Sequence, residues 1–166
     1  MNYEEFNTEI KKQIEFLSYE RRLEFAILIA KRLYFDYQKF SEVYNWGDPD
    51  LLMDGINICQ QSLSYFIDNN QINELLLKID LIRPDMDDFG DELGSYALNA
   101  STAVYESLQF LIDKDQVHIY NITTYYTDTI YFRIQENQQL TFDEIERHSL
   151  TVEARNFLID ASNNGV

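Results

Sequence analysis

A chain of 166 residues with 45% hydrophobic and 14% aromatic content is long enough for one domain that buries roughly 70% of its unfolded surface, and too apolar to be disordered. Five Gly and two Pro are too few turn formers for a many-stranded sandwich or barrel. The formal charge of −16 speaks against nucleic acid or an anionic membrane surface as a partner. That charge is uneven: residues 1–39 carry seven basic and seven acidic side chains, leaving six basic and twenty-two acidic for 40–166. Cys59 is the single cysteine, so no internal disulfide forms and a reducing compartment fits. Met1-Asn2-Tyr3-Glu4-Glu5 lacks the basic start of a signal peptide, and no apolar run approaches the length of a membrane span. A cytoplasmic protein is expected.

In chain order, Phe6, Ile10, Ile14 and Leu17 predict a peripheral first helix over 3–17. Ser18 is placed to cap a second, nearly central helix with Leu23, Ala26, Ile27, Ala30 and Leu33 on its buried face. Arg21, Arg22, Lys31 and Arg32 near its ends read as solvated charges. Asp36 is placed to cap a shorter helix through Phe40 and Val43. The stretch Tyr44-Asn45-Trp46-Gly47-Asp48-Pro49-Asp50 then reads as a hinge and helix start: Asp48 caps, Pro49 fits the first helical position, and Asp50 complements the positive helix end.

Leu52, Ile56, Cys59, Leu63 and Phe66 step by four and three along the next helix, which turns Cys59 inward as a small core residue. After a turn at Asp68-Asn69-Asn70, a helix from Ile72 to Ile82 stops ahead of Pro84. The loop Pro84-Asp85-Met86-Asp87-Asp88-Phe89-Gly90-Asp91-Glu92 is the most acidic in the chain. It fails as a calcium loop, because counting from Asp85 puts Phe89 at position 5 and Tyr96 where a bidentate Glu is needed. Ala97, Ala100, Val104, Leu108 and Leu111 give a helix over 93–112, with Ser101 and Ala103 permitting close approach.

Residues 116–136 are rich in β-branched side chains and Tyr, which favour strands. Some twenty residues without Gly or Pro exceed an ordinary strand, and no partner sheet exists, so a helix is expected. Thr141-Phe142-Asp143-Glu144 matches a capping box. A last helix from about Leu150 to Ala161 ends at Asn163-Asn164-Gly165. The expectation is a single all-α domain over 1–166, one bundle of about seven helices.

The order Phe25-Ala26, Arg32, Tyr37-Gln38, Phe40, Gly47-Asp48-Pro49, Pro84-Asp85, Phe89 and Ala97-Leu98-x-Ala100 resembles the bacterial YjaG-like family, domain of unknown function 416, over roughly residues 16–160. The resemblance implies a compact all-α fold and a helical 116–136 segment, and no activity. The family usually has Pro where Phe35 stands, which softens the break expected before Asp36. It often has Asp where this chain has Asn99, a neutral side chain that cannot replace a catalytic carboxylate as a base.

No catalytic motif, metal-ligand set or cofactor loop is present in the sequence. His118 and His148, each near a helix start, are expected at the surface. The leading functional expectation is an interaction module that meets a basic protein partner, in one version as an immunity or antitoxin-like protein. Its binding residues are Trp46, Asp48, Asp50, Asp85, Asp87, Asp88, Asp91 and Tyr37. The alternative is a small-ligand-binding or metal-assisted enzyme with an inter-helix pocket near Asp48, Asp85 and Tyr37. A homodimer paired through the segment holding Tyr120, Tyr125, Tyr126 and Tyr131 is a third reading, with core packing of those rings as its rival.

Overall fold

The structure is a computed structural model that describes residues 1–163. Eight helices and no strand occur among the described residues: α1 (Tyr3–Phe16), α2 (Tyr19–Tyr44), α3 (Pro49–Ser62), α4 (Asn69–Leu81), α5 (Glu92–Asp113), α6 (Val117–Gln135), α7 (Phe142–Arg147) and α8 (Ser149–Asn163). The expected all-α bundle is therefore correct, with eight helices for about seven. The stop at Asn164-Gly165 lies outside the described residues.

The long helices α2 and α5 form the central pair, flanked by α3 and α4 on one side and by α6, α1 and α8 on the other. Small side chains make the central pairing close. Ala26 and Ala30 of α2 and Ala97, Ala100, Ser101 and Ala103 of α5 are all buried, which lets the two backbones approach each other. Ser101 and Ser107 donate their hydroxyls back to the Ala97 and Ala103 carbonyls, so neither buries an unsatisfied group.

Capping sets most helix starts, at Ser18, Asp48 and Thr141 where the sequence places them and at Asp68 and Asp91 a residue or more earlier than expected. Ser18, Asp48, Asp68, Asp91 and Thr141 each accept a backbone N–H in the first turn of the following helix. The α6 segment is helical because tertiary burial of its apolar face overrides its strand propensity, with the Thr hydroxyls satisfied on the helix itself. Thr123, Thr127 and Thr129 bond back to the carbonyls of Tyr120, Thr123 and Tyr125, while Ile119, Ile122 and Tyr126 bury the core face.

Three expectations need correction. Asp36 caps nothing: α2 runs unbroken to Tyr44 because Phe35 retains the N–H that a proline would remove, and Asp36 instead pairs with Arg133 of α6 at 2.6 Å. Phe66 is 92% exposed, since α3 ends at Ser62 and the apolar spacing beyond it no longer lies on a helix. Arg22 and Arg32 are more than solvated charges. Arg22 donates to the Ile14 and Glu15 carbonyls at the end of α1, and the Arg32 guanidinium sits 3.5 Å from the centre of the Phe157 ring.

Candidate functional site: the acidic end of the bundle

Five segments meet at one end of the bundle. The C-terminal turn of α2 and the N-terminal turns of α3 and α5 meet there. Tyr44 donates its hydroxyl to Asp91, and Trp46 packs on Phe89 with ring centroids 5.0 Å apart. The C-terminus of α4 joins them through Tyr37, whose hydroxyl donates to the Ile82 carbonyl at 2.7 Å. The C-terminus of α6 closes the set through a hydrogen bond from the Tyr96 hydroxyl to Glu136.

The floor of this end is aromatic. Phe40, fully buried, lies 5.9 Å from Trp46, 5.0 Å from Phe89 and 5.1 Å from Tyr44, centroid to centroid. Phe89 thus plugs the acidic loop into the hinge that precedes α3, burying area and adding edge-to-face contacts. Two glycines permit the fit. Gly47 takes φ +86°, and a Cβ there would meet the Tyr37 hydroxyl at 2.4 Å; a Cβ on Gly94 would strike the Phe89 carbonyl oxygen at 1.9 Å.

The eight residues marked from the sequence therefore share one region, with different duties. Tyr37 is buried and its hydroxyl is committed twice, donating to Ile82 and accepting the Asp48 N–H at 3.3 Å. Burial also lifts its phenol to about 12, so it does not exchange protons near neutrality. Asp48 caps α3 through the Leu51 N–H at 2.9 Å. Asp85 accepts the Asp87 N–H at 2.9 Å within its loop.

Asp91 caps α5 through the Gly94 N–H at 2.8 Å. The Tyr44 hydroxyl, followed by that cap, holds its carboxyl below the usual range. Trp46 is half-buried. The carboxylates of Asp50, Asp87 and Asp88 are exposed and make no hydrogen bond or ion pair among the described residues.

Neighbouring cations do not neutralise this surface. Arg83 pairs with Asp80 at 3.0 Å and lies over the Tyr105 ring, and Arg133 pairs with Asp36 and lies over Tyr96. The Tyr37 hydroxyl and the Asp48 and Asp91 caps are consumed by structure, and the groups left over are exposed carboxylates. Among the described residues no three His, Cys, Asp or Glu side chains converge as a metal-binding group.

Two polar clusters escaped the sequence. His118, expected at the surface, is half-buried with Nδ1 against Glu106 and Nε2 2.9 Å from Asp113. A carboxylate on each nitrogen favours the protonated ring and shifts it upward from 6.5 against the opposing effect of burial, so His118 holds its proton more tightly than a free imidazole. Asn121 and Tyr125 also donate to Glu106. Nothing local predicts this, because Glu106 lies on the preceding helix.

The second cluster centres on Arg155, which is 3% exposed. It donates to both Glu146 oxygens, to Tyr131 and to the Met1 carbonyl. Here a signal existed, since Arg155 falls within the buried stripe Thr151, Ala154, Leu158. Asn99 donates to Thr129 at 3.0 Å, tying α5 to α6 with the amide that an Asp would lack.

Fold and site together define a small all-α bundle protein with an aromatic-floored, carboxylate-rich end. The chain belongs to the family of proteins of unknown function DUF416, whose model matches residues 9–161. A crystal structure of a DUF416 family protein from Shewanella baltica OS155 is similar to it, with a TM-score of 0.79 at 24% identity over 91% of this chain and 82% of that one; the likeness concerns the fold. No curated protein matches the chain. No helix among the described residues is long and apolar enough to cross a membrane.

Proposed function

We propose that this protein acts in the bacterial cytoplasm by binding another protein, with the acidic end of the bundle as its docking face and a basic partner as the occupant. The observation that carries this reading is the convergence of Asp50, Asp87, Asp88 and Glu92 as unpaired carboxylates around the half-exposed Trp46, Tyr44 and Phe89. Unpaired charge of one sign speeds encounter with an oppositely charged protein and rejects like-charged competitors. The adjacent rings supply the apolar area that a rim of charge lacks. An immunity or antitoxin-like role against a basic nuclease is one form that this binding takes.

Native mass spectrometry of a tagged copy purified at low salt from its own host tests the reading. A stoichiometric basic protein that dissociates as salt rises supports it, provided that Asp50→Asn, Asp87→Asn and Asp88→Asn together weaken the complex. A complex indifferent to salt and to those three changes removes the acidic end from consideration.

A further inference from the structure

A second surface, separate from the acidic end, has the form of a ligand site. A cleft of about 650 Å³ opens between the start of α1 and the short α7, within the range of small-molecule sites. Its walls are apolar and displayed. Tyr3 and Phe142 meet edge to face with centroids 6.1 Å apart, and both remain about half exposed, with Val152 beside them.

The polar groups of the cleft divide into two sets. Glu146 is committed to the fold: Arg155 takes both of its oxygens and Tyr131 takes one again, so it fixes the position of α7 and leaves no charge to offer. Asp143 and Arg147 are uncommitted. They lie four residues apart on α7, a spacing at which opposite charges ordinarily pair, yet both are exposed, line the cleft and make no ion pair among the described residues. Glu4 adds a second free carboxylate on the α1 side.

Both helix starts at the rim are closed by capping boxes, Asn2 with Glu5 and Thr141 with Glu144. Each box takes up the N-cap and N3 N–H groups and sets a Glu carboxylate, Glu5 or Glu144, at the helix start, which disfavours an anion there. Among the described side chains that line the cleft, Arg147 is left as a cation and Asp143 and Glu4 as carboxylates without a partner, around a pair of aromatic walls, with Met1 also on the rim.

We propose that the cleft binds a small zwitterion with an apolar side chain, of which an apolar L-α-amino acid is the simplest member. Its ammonium group meets Asp143 and Glu4, its carboxylate meets Arg147, and its side chain lies against Tyr3 and Phe142. A purely anionic or purely cationic ligand leaves one of the free charges facing an apolar group, which is why the zwitterion is preferred.

Amide-resolved NMR titration of the full chain with L-leucine, L-methionine and L-phenylalanine, each to millimolar concentration, tests this. Saturable shifts at Tyr3, Phe142 and Arg147 with at least one of the three are expected. For L-phenylalanine, the analogues phenethylamine and 3-phenylpropionate each lack one charged group and should bind about tenfold more weakly or worse. Arg147→Gln and Asp143→Asn should weaken binding by a similar factor. Both positions are exposed, so unchanged spectra elsewhere verify that these variants keep the fold. No saturable shift with any of the three amino acids, analogues that bind as well as the amino acid, or an Arg147→Gln variant with undiminished affinity would each overturn the proposal.

Discussion

The Tyr37 hydroxyl stands between Gly47 and Ile82, donating to the Ile82 carbonyl at 2.7 Å while the Gly47 Cα leaves it the space that a Cβ, 2.4 Å from the oxygen, would take. One buried phenol therefore joins α2, the hinge before α3 and the end of α4. Tyr37→Phe strands the Ile82 carbonyl and the Asp48 N–H and should cost about 1–3 kcal/mol in urea unfolding. Gly47→Ala adds both the strain of φ +86° and a collision with the same oxygen. Because Tyr37→Phe removes that collision, the double variant should be less destabilised than the two single losses added together; strict additivity would show that the collision is relieved some other way.

Cys59 gives a direct probe of how firmly α3 is held. Its side chain is 1% exposed and burial pushes its thiol up to about 12, so the nucleophilic thiolate is scarcely populated at neutral pH. An aromatic disulfide reagent should leave the native protein unlabelled over minutes and react stoichiometrically once urea passes the unfolding midpoint. Rapid labelling without denaturant would mean that α3 opens separately from the bundle.

What the sequence disclosed and what it withheld follow one physical line. Caps and apolar stripes are encoded within a few residues, so Ser18, Asp48 and Thr141, and the buried faces of α1 and α5, are legible in the sequence, while the caps at Asp68 and Asp91 read there as turn and loop residues. The convergence of the hinge with the acidic loop depends on which helix ends meet. The Tyr44 to Asp91 and Tyr37 to Ile82 bonds and the packing of Phe89 on Phe40 and Trp46, all between distant segments, establish it. His118 was misplaced for the same reason, since its partner Glu106 comes from the preceding helix. Phe66 misled in the opposite direction, because its spacing is helical but α3 stops at Ser62 before reaching it.

The His118 latch between α5 and α6 should make stability depend on pH with a defined sign. Burial pushes the ring toward neutrality, but the hydrogen bonds and charges of Asp113 and Glu106 outweigh it, and the net shift is upward from 6.5. The folded imidazole therefore holds its proton more tightly than the unfolded one. Its stabilisation is whole below about pH 6.5 and is lost as pH rises through the folded value. Urea unfolding of the native chain and of His118→Gln at about pH 5.5 and about pH 8.5 should show a stability gap that narrows on the alkaline side; a gap that widens there would reverse the assignment of charge to the ring.

Glu146 and Arg155 are 12% and 4% exposed at their side chains, and they anchor α7 onto α8 with Tyr131 and the Met1 carbonyl as further partners. Arg155→Met removes the cation and leaves a nearly buried carboxylate behind, a change that should cost about 3–5 kcal/mol. Pairing it with Glu146→Leu removes both charges and should recover most of that loss, since an apolar pair of similar size fills the same space without desolvating an ion. Acid supplies an independent check. Burial raises the Glu146 carboxyl, but the hydrogen bond and charge of Arg155 prevail, and the folded value falls below 4.5. The native pair thus contributes in full above that pH and progressively less as pH falls through the folded value. In Arg155→Met the carboxylate has lost this support, so the penalty measured against the native chain should be largest near neutrality and shrink as Glu146 takes up a proton. A penalty independent of pH would place the loss in packing of the Arg155 stem against Phe6, whose ring lies 5.4 Å from the guanidinium, and not in the ion pair.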